Sequence, residues 1–170
     1  LRILQVPQEH CLGYCLNHAV QHMHGDIFIK MDDDDYYLEN YVSDIILPFL
    51  YTDAAVVGKR THFAYSQASD AMLLRLPGHE HQYTDFVIGP TFCIQKDVFT
   101  TVPFPEIEGR GTDSAFLNEC LQAGIRLYAA DRFNFIQVRR SDTSSHLWAI
   151  DEDIYMKDSH ILCSGLDTDL

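Results

Sequence analysis

The chain has 170 residues, of which 46% are hydrophobic and 22% are charged. This balance is that of a folded globular domain and excludes a disordered or low-complexity protein. Its 12 basic and 25 acidic residues give a formal net charge of −13, a poor electrostatic match for nucleic acid or anionic lipid. No apolar run approaches the ~18 residues of a membrane span. We therefore expect no nucleic-acid partner and no membrane span in this chain.

The five cysteines follow no zinc-binding spacing, and their number is odd. Most lie in apolar or helical stretches, where small buried thiols are expected. Free thiols indicate a reducing compartment, so we expect a cytoplasmic protein. The first residue is not Met, and the chain opens in what reads as a strand at Arg2–Val6. We therefore expect a fragment of a longer protein.

Strands and helices alternate in the first half of the chain. Apolar residues at helical spacing from Leu12 to Met23 predict a helix that is stopped by Gly25. The apolar run Asp26–Met31 predicts a buried strand. A second helical face runs from Leu38 to Phe49, and a second buried strand is predicted at Ala54–Val57.

The second half is richer in β structure. Thr112 is positioned to cap a helix that ends at Gly124. We expect β structure at Thr61–Tyr65, Ala71–Leu76, Phe86–Gln95 (broken by Gly89 and Pro90), Arg126–Ala130 and Phe133–Val138, and a loop at Pro77–Gln82. Strand–helix alternation followed by this segment predicts an α/β fold with an added antiparallel element. We expect one core domain over residues 1–150 and a C-terminal tail over 151–170 with a short helix.

The strongest local feature is a predicted strand that runs directly into Asp32, Asp33, Asp34 and Asp35. Adjacent carboxylates repel each other unless a cation is present, and ligands bind at strand ends in open α/β sheets. Carboxylate oxygens favour Mg²⁺ or Mn²⁺ over zinc. A metal held there could clamp a diphosphate and stabilise the charge that grows on it as it leaves. The alternative is a solvated acidic turn.

The acidic run matches four further classes of site less well. An EF-hand loop needs a central Gly that the residues after Asp32 lack. A P-loop needs G-x-x-x-x-G-K-[ST], which does not occur. A glycosidase needs a second carboxylate partner, which the sequence does not single out. A metal-dependent phosphotransferase or hydrolase would need a nucleophile that we do not find.

Several motifs in order resemble family 2 glycosyltransferases with the GT-A fold. These are Asn17-His18-Ala19, the run from Gly25 to Tyr37, Val57-Gly58-Lys59, Gly89-Pro90-Thr91, Lys96 to Phe99, Gly109 to Gly124, Asp131 to Phe135, and His146-Leu147-Trp148. Each motif is loose, but their order and spacing over residues 1–150 make the resemblance fairly specific. It implies a GT-A-like, mostly parallel mixed sheet flanked by helices. It also implies that the family's N-terminal nucleotide-binding strand–helix units are absent from a chain that starts at Leu1.

The resemblance implies inverting transfer of a sugar from a nucleotide-diphosphate sugar to an acceptor hydroxyl, with a divalent metal, Mn or Mg, as cofactor. Asp32 and Asp34 would form the D-x-D pair, with Asp34 on the metal and with Asp33 or Asp35 able to exchange roles with them. Donor contacts are expected from Asn17, Asp32, Asp33 and Arg110, metal contacts from Asp32, Asp34 and His146, and acceptor contacts from Gly89 and Trp148. The acceptor would be a glycan or a lipid-linked molecule, in bacterial surface polysaccharide synthesis.

The sequence departs from the family where the catalytic base is expected. The family's Glu-Asp is replaced by Arg110-Gly111, so the role of base moves to Asp113, the acid left at the centre of that motif. The alternative for Asp113 is to stabilise the start of its helix. Arg110 could contact phosphate or an acidic acceptor, or lie on the surface. A catalytically degenerate domain that binds a sugar nucleotide or a glycan is the alternative function.

Overall fold

The computed structural model describes residues 2–141 and 152–169. The helices are α1 (Leu12–Gln21), α2 (Tyr41–Ile45), α3 (Thr112–Gln122) and α4 (Glu152–Lys157). The strands are β1 (Ile27–Ile29), β2 (Tyr36–Tyr37), β3 (Val56–Gly58), β4 (His62–Ser66), β5 (Ala71–Arg75), β6 (Gln82–Thr84), β7 (Cys93–Gln95), β8 (Leu127–Ala129), β9 (Phe135–Arg139) and β10 (Ser159–Ser164). Short 3₁₀ helices occupy Leu47–Leu50, Gly89–Thr91 and Lys96–Thr100.

Within the described residues the strands form two five-stranded sheets, in the orders β1-β7-β3-β8-β6 and β10-β5-β4-β9-β2. In the first sheet β7 is antiparallel to both β1 and β3, and β3 is parallel to β8. The strands β1, β3 and β8 therefore run in the same direction, and their C-terminal ends lie at one edge of the sheet. The segment that precedes β7 lies at this edge too.

The mixed α/β, GT-A-like class expected from the sequence is confirmed by these two mixed sheets and their flanking helices. The parallel share is smaller than expected, because only β3–β8 and β4–β9 pair in parallel among the described strands. The reason is that β7 inserts between β1 and β3, which point the same way, and so turns one parallel contact into two antiparallel ones.

The first sheet is covered on both faces, and this explains its apolar strands. Successive side chains of a strand point to opposite faces. In β3, Val56 belongs to one buried cluster with Phe116 of α3, whereas Val57 belongs to a second cluster with Tyr41 of α2. A strand buried on both faces needs apolar residues at consecutive positions rather than at alternate ones.

Helix α3 begins and ends at glycines with left-handed backbone. Gly111 precedes it at φ 102°, and Gly124 follows it at φ 76°. At the C-terminus, the Gly124 N–H donates to Leu121 O at 3.0 Å and the Ile125 N–H donates to Cys120 O at 2.9 Å, the paired bonds of a Schellman motif. These ends fix which residues occupy the first turn of α3, among them Asp113.

Two expectations from the sequence differ from the structure in detail. Residues 2–6 form no strand, and Ile3 is 84% exposed, because no neighbouring strand pairs with them. The segment Phe86–Gln95 is interrupted at Gly89 and Pro90 as expected, but only Cys93–Gln95 of it forms a strand. The C-terminal segment contains the short helix α4, and β10 pairs with β5 in the second sheet.

None of the helices in residues 2–141 and 152–169 has the length and apolar character that crossing a membrane requires.

A buried histidine lies in the second sheet. His62 of β4 is 2% exposed; its Nδ1 lies 3.0 Å from Arg60 O, and its Nε2 lies 3.3 Å from Gln137 Oε1. Because the Arg60 carbonyl only accepts, Nδ1 carries the proton in the neutral ring. Burial, together with the positive charge of Arg75, lowers the pKa of His62 from 6.5 to about 4.

This lowered pKa predicts acid destabilisation. The folded state disfavours the charged ring, so the contribution of His62 to stability is complete above pH 6.5 and is lost as the pH falls towards 4. A pKa lowered from 6.5 to about 4 corresponds to a free energy on the order of 3 kcal/mol. We expect His62→Gln to flatten the dependence of the free energy of unfolding on pH over this interval, measured by urea denaturation.

The matched control is His160→Gln, because His160 is exposed on β10. Its pH dependence should equal that of the wild type. A His62→Gln curve parallel to the wild-type curve between pH 6.5 and 4 would contradict the prediction.

Candidate functional site

The acidic run follows β1 at the sheet edge where the ends of β3 and β8 also lie. The Lys30 N–H donates to Phe92 O at 2.8 Å, which joins the end of β1 to the residue before β7. The Ile88 N–H donates to Lys59 O at 2.8 Å, which joins the segment before Gly89 to the residue after β3. The topology therefore brings Lys30, Gly89 and the acidic run together.

A buried lysine bridges two acids that are far apart in the sequence. Lys30 is 6% exposed, and its Nζ lies 2.6 Å from Asp32 Oδ1 and 3.8 Å from Asp113 Oδ2. The two carboxylates are 38% and 32% exposed. A cation between two half-exposed carboxylates offsets their mutual repulsion and holds both near one point. The structure thus unites the acidic run with the expected base.

Asp113 occupies a pocket that a glycine makes possible. A Cβ atom added to Gly89 would lie 1.9 Å from Asp113 Oδ2, so only glycine leaves room for this carboxylate. Asp113 Oδ1 is buried and has no hydrogen-bond partner among the described residues. Burial raises the pKa of Asp113 above its ordinary value; Lys30 opposes this rise and Asp32 adds to it. A carboxylate with a raised pKa and an unused oxygen suits proton abstraction.

The backbone of the acidic run is fixed by a tyrosine. The Asp32 N–H donates to Tyr37 Oη at 2.8 Å, and the Tyr37 hydroxyl donates to Pro90 O at 2.8 Å. Tyr37 packs against Tyr41 and Phe135, with ring centroids 4.8 and 5.2 Å apart. The start of the acidic run and the Gly89-Pro90 turn are therefore held to each other and to the core.

Three acids of the run, Asp33, Asp34 and Asp35, line a cavity of about 330 Å³. The other lining residues are Tyr36, Tyr65, Gln67, Val138 and Arg140. Asp34 Oδ2 lies 3.4 Å from Arg140 Nη2, and Asp35 Oδ1 accepts the Val138 N–H at 2.8 Å. Burial, followed by the charges of Asp34 and Asp32, raises the pKa of Asp35 to about 7. The run thus divides, with Asp32 facing Lys30 and Asp34 facing Arg140.

This donor set can be compared with what a divalent metal requires. Among the described residues, no three His, Cys, Asp or Glu side chains are grouped so that they could hold a metal ion. Mg²⁺ is commonly held by one or two carboxylates, with substrate phosphates and waters completing its shell. Asp33 and Asp34 line one cavity with oxygen donors, together with Asp35, whose pKa is raised chiefly by burial and further by the charges of Asp34 and Asp32. The carboxylates of Asp33 and Asp34 therefore fit a two-carboxylate metal site. Asp32 pairs with Lys30, as Asp34 pairs with Arg140, and the metal contact predicted for Asp32 stays a prediction.

The structure describes two further residues that are predicted to contact the donor, Asn17 and Arg110. The Asn17 amide donates from Nδ2 to Phe104 O at 2.9 Å and accepts the Phe104 N–H on Oδ1 at 2.8 Å. Both ends of this side chain thus bind the backbone, and its donor contact stays a prediction. Arg110 is exposed in the loop before α3.

His146 and Trp148 lie outside the described residues, and their predicted roles stay predictions. The sequence analysis missed Lys30, Tyr37 and Arg140. The signal for Lys30 was a charged residue at the end of an otherwise apolar strand, directly before the aspartates. Nothing in the sequence indicates that Lys30 reaches Asp113, because 83 residues separate them.

Comparison with known proteins identifies a family. The sequence profile of the family described as "Glycosyl transferase family 2" matches residues 1–104. The match includes β1, the acidic run, Gly89 and β7, and it ends before Asp113. No curated protein gives a significant match to the chain.

The Lys30 bridge predicts a charge-dependent stability loss. Lys30→Met leaves the Asp32 and Asp113 carboxylates without their shared cation. We expect the free energy of unfolding at pH 7 to fall by roughly 1–3 kcal/mol, less than for a fully buried pair because both acids are partly exposed. Near pH 3, where carboxylates take up protons, the loss should shrink. Urea denaturation at the two pH values measures both quantities.

Lys96→Met is the matched control, because Lys96 is exposed on the 3₁₀ helix after β7. It should change stability by less than about 0.5 kcal/mol. An equal loss for Lys30→Met at both pH values would show that Lys30 acts by packing and not by charge.

Proposed function

The chain belongs to glycosyl transferase family 2. We therefore propose that it transfers a sugar from a nucleotide-diphosphate sugar to an acceptor hydroxyl, with inversion at the anomeric carbon. Asp113 is proposed as the general base. Family membership establishes a glycosyltransferase that uses a nucleotide-sugar donor and an acceptor. The observation that supports Asp113 as the base is the Lys30 bridge, which holds Asp113 beside the acidic run.

In the proposed reaction Asp113 takes the proton of the acceptor hydroxyl. The hydroxyl oxygen forms a bond to the anomeric carbon on the face opposite the diphosphate, and the bond from that carbon to the diphosphate oxygen breaks. The product sugar is inverted, and the nucleoside diphosphate leaves with the bonding electrons. A base is needed because a hydroxyl is a weak nucleophile until its proton is removed. The unused, buried Oδ1 of Asp113 supports this role.

Asp33 and Asp34 are the residues proposed to hold Mn²⁺ or Mg²⁺ together with the donor diphosphate. The bound metal would supply positive charge to the leaving diphosphate. Asp32 is proposed to contact the donor sugar or ribose, because it directly precedes Asp33 and Asp34 in the chain and shares the Lys30 ammonium with Asp113. Lys30 holds Asp32 and Asp113 in place.

Gly89 is proposed to lie on the acceptor side, where its missing side chain leaves room for the Asp113 carboxylate. We propose a glycan or lipid-linked acceptor and a role in bacterial surface polysaccharide synthesis, as the resemblance implies. The five free cysteines support a reducing, cytoplasmic location, because disulfides are rare there.

A binding domain without catalysis is the second candidate. The observation that favours it is Arg110-Gly111 in the place of the family's acidic pair. Such a domain would bind the nucleotide sugar or glycan and release no nucleotide. The two candidates differ in whether turnover depends on Asp113.

Asp113→Asn is expected to lower the transfer rate by about 10² to 10⁴, the range for a lost general base. The amide keeps the size of the side chain but cannot take the proton. The assay follows release of UDP, GDP or dTDP from a panel of their sugars in the presence of mono- and oligosaccharide acceptors. Donor affinity should change little, because Asp113 faces the acceptor.

Glu119→Gln is the control on the same helix, since Glu119 is exposed on α3, and it should retain the wild-type rate. Activity of Asp113→Asn within a few fold of wild type, with a lower melting temperature, would instead make Asp113 a helix-stabilising residue. Donor binding without turnover by the wild type would favour the binding domain.

The metal assignment predicts that Asp34→Ala weakens Mn²⁺ binding at least about tenfold. It also predicts that UDP strengthens Mn²⁺ binding in the wild type and not in Asp34→Ala. The reason is that one of two carboxylates is lost and the diphosphate needs the metal as a bridge. Isothermal titration calorimetry with and without UDP measures both effects. Asp26→Ala, an exposed acid before β1, is the control and should bind like the wild type. Equal affinity in all three proteins would remove Asp34 from the metal site.

A further inference from the structure

A column of ring side chains runs along one side of α1 and its N-terminal flank. His10, Tyr14, His18 and His22 follow one another at four-residue spacing, which places them on one helix face. The rings of His10 and Tyr14 stack with centroids 3.8 Å apart, and those of His18 and His22 lie 4.5 Å apart at an interplanar angle of 57°. The side chains of His18 and His22 are partly exposed, so solvent ions can reach them.

The hydrogen bonding of His22 leaves one nitrogen with a lone pair. His22 Nδ1 lies 2.8 Å from His18 O. A carbonyl oxygen only accepts, so Nδ1 carries the proton and Nε2 keeps its lone pair. Metal-binding histidines usually donate their other ring N–H to a carbonyl or carboxylate in this way, which fixes the orientation of the ring.

The spacing of the two rings suits coordination to one ion. Metal–nitrogen bonds of about 2.1 Å at a right angle to each other hold two imidazole centroids about 4.5 Å apart. The observed separation of 4.5 Å between His18 and His22 matches this arrangement. Right-angled neighbouring positions are those of square-planar or octahedral ions, and imidazole is a preferred ligand of Ni²⁺, Cu²⁺ and Zn²⁺.

We propose that His18 and His22 form a two-histidine site on α1 for a divalent transition-metal ion, separate from the acidic run after β1. Waters complete the coordination shell, because no third His, Cys, Asp or Glu joins the pair among the described residues. The hard-ion site proposed at Asp33 and Asp34 has oxygen donors, so the two sites select different metals.

A metal at this position would cross-link two successive turns at the C-terminal end of α1. The same helix carries Asn17, which binds the backbone of Phe104, and Gly13, whose Cα approaches Pro105 so closely that a Cβ would lie 2.1 Å from Pro105 O. The metal would therefore stabilise the helix on which the segment 104–106 rests. Because a ligand bound only to the folded state raises its stability, the melting temperature should rise on metal binding.

The test is titration of Ni²⁺ into the full chain by calorimetry, with thermal unfolding as a second readout. Ni²⁺ avoids the oxidation of thiols that Cu²⁺ could cause. We expect His18→Ala and His22→Ala each to weaken binding at least about tenfold, because each removes one arm of a chelate. Both should also lose the Ni²⁺-induced rise in melting temperature. Circular dichroism checks that α1 is intact, and His22→Gln, whose amide can still donate to His18 O, serves if His22→Ala unfolds.

Two controls separate the pair from its neighbours. His24→Ala removes an exposed histidine just beyond α1 and should leave binding unchanged. Cys15→Ser tests the thiol one turn before His18, and unchanged affinity supports a site of two histidines. Affinity within twofold of wild type in both His18→Ala and His22→Ala, or in both His18→Ala and His22→Gln, would overturn the proposal. A tenfold loss in Cys15→Ser would overturn the two-histidine ligand set.

Discussion

The candidate site depends on one buried cation. Lys30 is almost fully buried at the end of β1, where an isolated ammonium would be strongly disfavoured. Asp32 and Asp113 supply the opposite charge, and Lys30 in turn reduces the repulsion between them. Each of the three charged groups therefore lowers the electrostatic cost of placing the other two there. This mutual dependence links β1, which carries the acidic run, to α3, which carries the proposed base, in a way that apolar packing alone would not specify.

The sheet topology places this ion cluster at one edge. Since β1, β3 and β8 point the same way and β7 runs against them, three strand ends and one strand start meet there. The turn before β7 needs a glycine at position 89 because Asp113 approaches it so closely. Tyr37 binds both the start of the acidic run and the carbonyl of Pro90. The site is therefore built on the ends of rigid elements, which suits a constellation that must hold its geometry.

The elements that the sequence predicted well carry strong local signals. The face of α1, the apolar run of β1 and the glycine after α3 depend on neighbours within a few residues. The sequence analysis missed the strands β2, β6 and β10. They are short or exposed, and each forms by pairing with a strand that is distant in the sequence. The same limit applies to the site. The acidic run was evident from the sequence, but the different directions that Asp32 and Asp34 face depend on Lys30 and Arg140. Arg140 is distant in the sequence and reaches Asp34 only through the tertiary fold.

The departure at Arg110-Gly111 has a structural counterpart. Gly111 has φ 102°, a conformation that L side chains rarely adopt, so an acid at this position would strain the start of α3. Asp113 lies in the first turn of α3, where the helix dipole favours a negatively charged carboxylate. Lys30 also favours the charged form of Asp113, whereas burial disfavours it. Since burial is the largest of these influences, the pKa of Asp113 lies above its ordinary value. The first turn of α3 therefore provides for Asp113 an environment that a base requires, without an acid at either preceding position.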